Sequence, residues 1–272
     1  MHAIMVRLKI FLAVFLVLIV VGTAGFMHIE KKSVVDAAYY VIVTVATVGY
    51  GDIHPTTDAG KIFAVVLIVL GVGTFLGVIA NVTEIILARR EIESRLEKLN
   101  MVIGVFFSEV GIHLMTLFAR SDREVDNIRS SLVVTANWTD EKFTAATGDL
   151  RKYDYSVEMD LIDLATLKDF LCGERDFLVR LLENPILLEH QSFTDLLRAV
   201  FHVTEELAYR NEVRNIPVTD RNHLANDIQR AYSLLVHQWL DYMKYLKSNY
   251  PFLFHLAMRT NPFDRTASIT VS

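Results

Sequence analysis

The chain has 272 residues, of which 52% are hydrophobic and 22% charged, and its mean hydropathy is +0.33. It is too apolar for an ordinary soluble domain, too charged to be membrane throughout, and its single cysteine, Cys172, excludes an intrachain disulfide scaffold. Residues 1–100 hold 9 Lys/Arg and 8 Asp/Glu, whereas residues 101–272 hold 18 and 24, so no basic patch dominates and nucleic acid is not an expected partner.

The first element is Ile10 to Ile29, 20 residues without Asp, Glu, Lys or Arg. At 1.5 Å per residue it reaches about 30 Å, the thickness of a hydrocarbon core. Arg7 and Lys9 resemble the basic start of a signal peptide, but the apolar run is too long and Gly22-Thr23-Ala24-Gly25 is a poor cleavage site, so a retained helix is expected. Ile62 to Thr83 is a second uncharged run. Between them Val34 to Gly51, broken only by Asp36, is too short to cross and reads as a re-entrant segment. Ser33, three residues before Asp36, is its expected N-terminal cap. Arg7, Lys9, Arg89, Arg90, Arg95 and Lys98 flank the two crossings. The loop between them has Lys31, Lys32 and Lys61 offset by Glu30, Asp36, Asp52 and Asp58, so a modest bias leads to the expectation of cytoplasmic termini and a multi-pass chain in the plasma or inner membrane.

The re-entrant segment ends in Thr47-Val48-Gly49-Tyr50-Gly51-Asp52. Here the chain resembles the potassium-channel family, whose selectivity filter reads TVGYGD. A dehydrated cation needs stacked rings of oxygens, and glycines at alternate positions allow the backbone to aim successive carbonyls one way. The resemblance implies that Thr47, Val48, Gly49 and Tyr50 hold K⁺, the permeant ion, with Gly51 and Asp52 as support and Tyr50 bracing the strand from behind. One chain supplies a quarter of such a ring, so a homotetramer in membrane lipid is the expected assembly. Four residues before the first filter threonine the best-known bacterial channel of this class carries a glutamate that bonds the filter aspartate; here it is Val43, and Tyr39 and Tyr40 replace a tryptophan pair often found in the pore helix. Asp52 is therefore expected to be less tightly held.

Val69-Leu70-Gly71-Val72-Gly73-Thr74-Phe75 is similar to the inner helix of calcium-gated two-helix channels, which implies a gating hinge at Gly71. Close helix packing through Gly71, Gly73 and Gly77 is the alternative. Glu84 reads either as an acid at the inner mouth or as a helix-end residue.

The expected fold is all-α. Residues 1–90 form a two-transmembrane-helix pore domain with re-entrant pore helix and filter, residues 91–100 a helical linker, and residues 101–272 a cytoplasmic, mainly helical regulatory domain. In the calcium-gated relatives the linker would lead to a nucleotide-type α/β domain. Aligning Gly111 with the last glycine of G-x-G-x-x-G puts Phe106 and Ser108 where glycines belong, so a degenerate domain of that type is a minor alternative. Met101 to Ala119 is expected as a buried first helix rather than a third crossing. Thr139 starts a short helix, Leu132 to Thr135 is a weak strand, and Val157 to Glu183 gives one or two helices broken near Gly173. Ser192-Phe193-Thr194-Asp195 and Thr219-Asp220 open two longer ones, with apolar stripes through Phe193, Leu196 and Val200 and through Leu224, Ile228, Tyr232 and Trp239. Tyr250 to Arg259 closes the bundle, and Asn261-Pro262-Phe263 with the Ser/Thr-rich end forms a loosely held terminus.

Chemistry in the larger part is thin. Glu-x-x-His pairs of the di-iron kind are absent, and Asp220-x-x-His223 sits at a helix start where aspartate caps. His113, His190, His202, His237 and His255 are scattered, and the clusters Glu205 with Glu206 and Glu158 with Asp160 and Asp163 read as solvated faces. No enzyme activity and no organic cofactor are expected. The expected function is passive, potassium-selective conduction gated by the C-terminal domain in response to a ligand or protein the sequence does not name. The alternative is a constitutively open pore whose C-terminal domain is a docking or assembly module.

Overall fold

A computed structural model describes residues 2–188, 190–213 and 216–268, and among these it is helical with no strand. The chain divides into two compact units, residues 1–94 and 95–272.

In the first unit α1 (His2–Glu30) and α3 (Asp58–Phe106) flank the short α2 (Val34–Val45). Alpha helices solvated by lipid are apolar on all sides, and here Val17, Val20, Ile62, Val65 and Val69 all point outward. Both long helices are long and apolar enough to span a bilayer. The small interior is Phe26, Ala37, Tyr40, Val41, Val45, Ala64 and Leu67, with Phe26 stacked on Tyr40 at 3.9 Å. As expected, Ser33 caps α2, its Oγ accepting from the Asp36 N–H at 3.1 Å. The start of α3 is tied to the end of α1. Thr57 Oγ1 accepts from Gly60 N–H at 3.0 Å, while the Glu30 carboxylate accepts from the backbone and hydroxyl of both Thr56 and Thr57 at 2.7–3.1 Å. A Cβ on Gly60 would lie 1.9 Å from Glu30 Oε1, so only glycine admits that carboxylate.

In the second unit the end of α3 passes through one π-helical turn, Phe107–Gly111, into α4 (Ile112–Ser121). Its apolar residues Ile103, Phe106, Phe107, Val110, Leu114, Met115 and Phe118 are buried in the unit's own core, as a first bundle helix requires. This removes the nucleotide-type alternative. Residues 101–111 are helical, and their glycines make close contacts instead of a phosphate loop: a Cβ on Gly104 would meet Tyr242 Oη at 2.5 Å. Short helices α5 (Asp126–Arg129), α6 (Asp140–Leu150), α7 (Leu164–Gly173), α8 (Arg175–Leu182) and α9 (Pro185–Leu188) follow. Thr139 caps α6 and Asp163 caps α7, and the break falls after Gly173. The unit is built around α10 (Gln191–Ala208), α11 (Val218–Asn249) and the closing α12 (Pro251–Arg259). Both stripes read from the sequence are buried, from Phe193 to Val200 and from Leu224 to Trp239.

Several local expectations are corrected. The cap of α10 is His190, whose Nδ1 accepts from Phe193 N–H, so Ser192 lies inside the helix. The first residue of α11 is Val218, after Pro217, and Asp220 binds Arg210 instead of capping. The strand at 132–135 does not form, because no second strand adjoins it; the Leu132 carbonyl accepts from Asn261 Nδ2 at 2.8 Å. That bond also explains why 261–263 is not loose. Asn261 and Phe263 are buried, Phe263 packs on Trp239, and its carbonyl accepts from Arg129. The final four residues of the Ser/Thr-rich end lie outside the described residues. The acidic clusters are exposed faces carrying surface ion pairs: Glu205 with Arg175, Asp160, whose side chain is 80% exposed, with Arg221, and Glu158 with Arg123.

Arg210 joins α10 to α11 by donating to Glu206 at 2.7 Å and to Asp220 at 2.5 Å. It holds both carboxyls below their ordinary values, so their stabilisation is present above the unfolded values of about 4 and is lost as pH falls through the depressed ones. Asp122 and Asp241 work oppositely, since burial raises them and their ionisation costs stability as pH rises. Arg210→Met should therefore melt earlier than the native chain at neutral pH, with the gap closing below about pH 4. Thermal unfolding by circular dichroism across that range checks this; a gap that persists unchanged at acid pH contradicts it.

Candidate functional site

The site begins where α2 ends. Thr47 N–H donates to the Thr44 carbonyl at 3.0 Å and Val48 N–H to the Val43 carbonyl at 2.9 Å, the paired bonds of a Schellman motif. The position after the cap then needs a left-handed residue, ordinarily glycine. Here it is Thr47, with φ +60°. A β-branched residue in that region is strained by roughly 1–2 kcal/mol, and such strain collects where function demands the geometry.

Gly49 follows at φ +56° and Gly51 at φ +78°, with Val48 and Tyr50 at negative φ between them. Alternating hand along an extended segment turns successive peptide planes to the same side, which is what a single row of carbonyl oxygens requires. Gly49 N–H shares the Val43 carbonyl at 3.2 Å, which fixes the base of the strand to α2. The side chains of Val48 and Tyr50 are exposed on the single chain, Tyr50 at 72%.

Asp52 is held, contrary to the expectation from Val43. Tyr39 Oη donates to Asp52 Oδ2 at 2.9 Å, so a tyrosine of the pore helix supplies the tie that a residue at 43 does not. Tyr39 was visible in the sequence only as a replacement; its reach to Asp52 depends on the loop folding back beside α2.

Gly71 faces that same helix. A Cβ there would lie 2.6 Å from Val45 Cγ2, whereas one on Gly73 would meet nothing within 4 Å. Glu84 accepts from Arg7 of α1 in a two-pronged pair at 3.0 and 3.3 Å, both side chains about half exposed.

The second unit has an apolar cavity of about 590 Å³ lined by Met101, Val105, Phe107, Tyr242, Tyr245 and Leu253, among others. At its rim Tyr250 donates to Glu97 at 2.8 Å, which pushes the phenol up to about 12.

Two long apolar helices around a short helix and a TVGYGD segment left-handed at Thr47, Gly49 and Gly51 fit an ion-channel domain of the potassium-channel class. Residues 13–88 match the family model described as "Ion channel", and residues 95–259 match "Uncharacterized protein MJ1433, C-terminal helical domain". The chain belongs to the MJ1433 family. It is 46% identical over 191 residues to Uncharacterized protein MJ1433 of Methanocaldococcus jannaschii, covering 70% of this chain and 76% of that protein. Over a shorter stretch of 45 residues it is 58% identical to Two-pore potassium channel 5 of Arabidopsis thaliana, 16% of this chain and 11% of that one. It is also 37% identical across 59 residues to the Voltage-gated potassium channel of Aeropyrum pernix, 21% and 20%. The chain thus spans three quarters of MJ1433 but a fifth or less of these two channels.

Proposed function

We propose that four copies of the chain form a K⁺-selective pore through which the ion moves passively, with Thr47, Val48, Gly49 and Tyr50 as its oxygen ligands. The observation that carries this is the left-handed backbone at Thr47, Gly49 and Gly51, alternate positions of a TVGYGD strand. A row of carbonyls is useful to a dehydrated ion only when closed into a ring, and the outward Val48 and Tyr50 need a neighbouring chain to cover them. In this assembly Gly51 and Asp52 support the strand, and both termini lie in the cytoplasm. Glu84, already neutralised by Arg7, adds less to an inner-mouth field than an unpaired acid.

Flux from liposomes tests the pore. K⁺ should pass and Na⁺ should not; equal passage of both sinks the filter assignment. The C-terminal unit is assigned a gating role, supported by its ligand-sized apolar cavity. A chain ended after residue 100 should then conduct with altered open probability, and an unchanged one would favour the docking or assembly role instead.

Tyr39→Phe removes the hydroxyl tie to Asp52, a bond worth about 1 kcal/mol at an exposed position. Currents in this variant should decay more slowly during maintained opening, because a loosened Asp52 weakens the tie on which slow filter inactivation depends by resemblance. Identical decay would mean that Asp52 is fixed by something other than Tyr39.

A further inference from the structure

The packed pair α10 and α11 brings one histidine of α10 beside a histidine and an aspartate of α11. His202 stands on α10, and His223 and Asp227 lie one turn apart on α11. His202 Nε2 is 3.2 Å and His223 Nε2 is 3.4 Å from Asp227 Oδ2, and the three atoms all lie within 4.8 Å of one another. We propose that His202, His223 and Asp227 bind a divalent transition-metal ion of the zinc type.

The carboxylate makes the strongest case. Asp227 is 8% exposed, and its Oδ2 is buried yet accepts no hydrogen bond although two imidazole nitrogens are beside it. A buried carboxylate oxygen left without a hydrogen bond costs stability, so its placement needs an explanation. The distances supply one. Metal–nitrogen and metal–oxygen bonds near 2.0–2.1 Å set the ligand-to-ligand edge of a tetrahedron at about 3.3 Å. Both contacts to Oδ2 have that length. The other oxygen, Oδ1, faces Arg230 Nη2 at 3.5 Å, which leaves Oδ2 as the ligand and orients it.

The ligand chemistry selects the ion. Two imidazoles and one carboxylate suit zinc, cobalt, nickel or copper, whereas calcium and magnesium need a shell of oxygens. Three protein ligands leave a fourth position for water or for another donor. Glu206 lies one turn beyond His202 on the same helix, held by Arg210. The outer faces of both histidines are open, His202 at 42% and His223 at 56% side-chain exposure, which gives an ion a way in. Bound there, the ion would fasten α10 to α11 where Arg210 already bridges them. The assignment is independent of the pore's selectivity, because its test reads binding and not current.

Cobalt and zinc are the probes. The full chain, purified without an affinity tag and stripped with chelator, is titrated with Co²⁺ while its visible ligand-field bands are recorded, and with Zn²⁺ by calorimetry. One ion per chain is expected, with cobalt bands typical of low-coordinate imidazole ligation. His202→Ala and His223→Ala, both at partly exposed side chains, should each weaken binding by more than about tenfold while the chain keeps its helical circular dichroism. His255→Ala, an exposed histidine on α12, should leave it unchanged. Absence of saturable binding to the native chain overturns the proposal, as does native affinity in either cluster variant.

Discussion

Replacing Gly49 with alanine is expected to abolish K⁺-selective flux while the chain still enters the membrane and assembles. A Cβ at Gly49 would meet nothing within 4 Å on its own chain, so the obstacle is torsional rather than steric. At φ +56° an L-residue is disfavoured by roughly 1–2 kcal/mol. In the proposed ring that penalty falls four times on one narrow segment, about 4–8 kcal/mol in all. Thr47, two residues before it, already occupies the left-handed region, so the segment carries this strain before the substitution adds to it. An alanine that relaxed to negative φ at this position would break the alternation and turn a carbonyl away from the row. Liposome flux together with size-exclusion chromatography reads the two effects separately. Full K⁺ flux through Gly49→Ala would mean that the hand of the backbone at this position does not matter.

Gly71→Ala tests a second claim and distinguishes two roles for the same glycine. The added methyl would sit 2.6 Å from Val45, which is 1% exposed and β-branched and so cannot rotate aside cheaply. Overpacking of this kind costs about 1–3 kcal/mol, more than the roughly 1 kcal/mol that alanine gains over glycine in a helix. The single variant should therefore destabilise the contact between α3 and the pore helix and reduce flux. Combining it with Val45→Ala restores room for the methyl. Recovery of flux in the double variant assigns Gly71 to close packing, with a favourable coupling between the two sites. Persistent loss in the double variant assigns it to bending, because the substituted alanine still stiffens the helix after the clash is gone.

Features carried by contiguous residues were legible before the fold. The spans of α1 and α3, the cap at Ser33, the break at Gly173 and the filter strand depend on near neighbours in the chain. The stripes of α10 and α11 were also readable, since a period of 3.6 residues declares a buried face without naming what covers it. Helix starts were harder. Ser192 and Thr219 are good caps by type, yet His190 and Pro217 stand at the boundaries, because the choice among nearby capping residues is settled by how the preceding chain arrives.

The tertiary structure decided whatever joins distant residues. It gave Asp52 a partner in Tyr39, put Val45 against Gly71, and locked Asn261 and Phe263 onto Leu132, Arg129 and Trp239. It also gathered His202, His223 and Asp227 from two helices that have no shared motif. The composition marked an apolar third and an acidic remainder, and a six-residue strand was enough to name the chemistry of the first. The proposed filter is read from one short segment because the ligands assigned to it are backbone atoms, whose placement follows local torsion. A side-chain site is assembled from separate helices, and only packing brings those helices together.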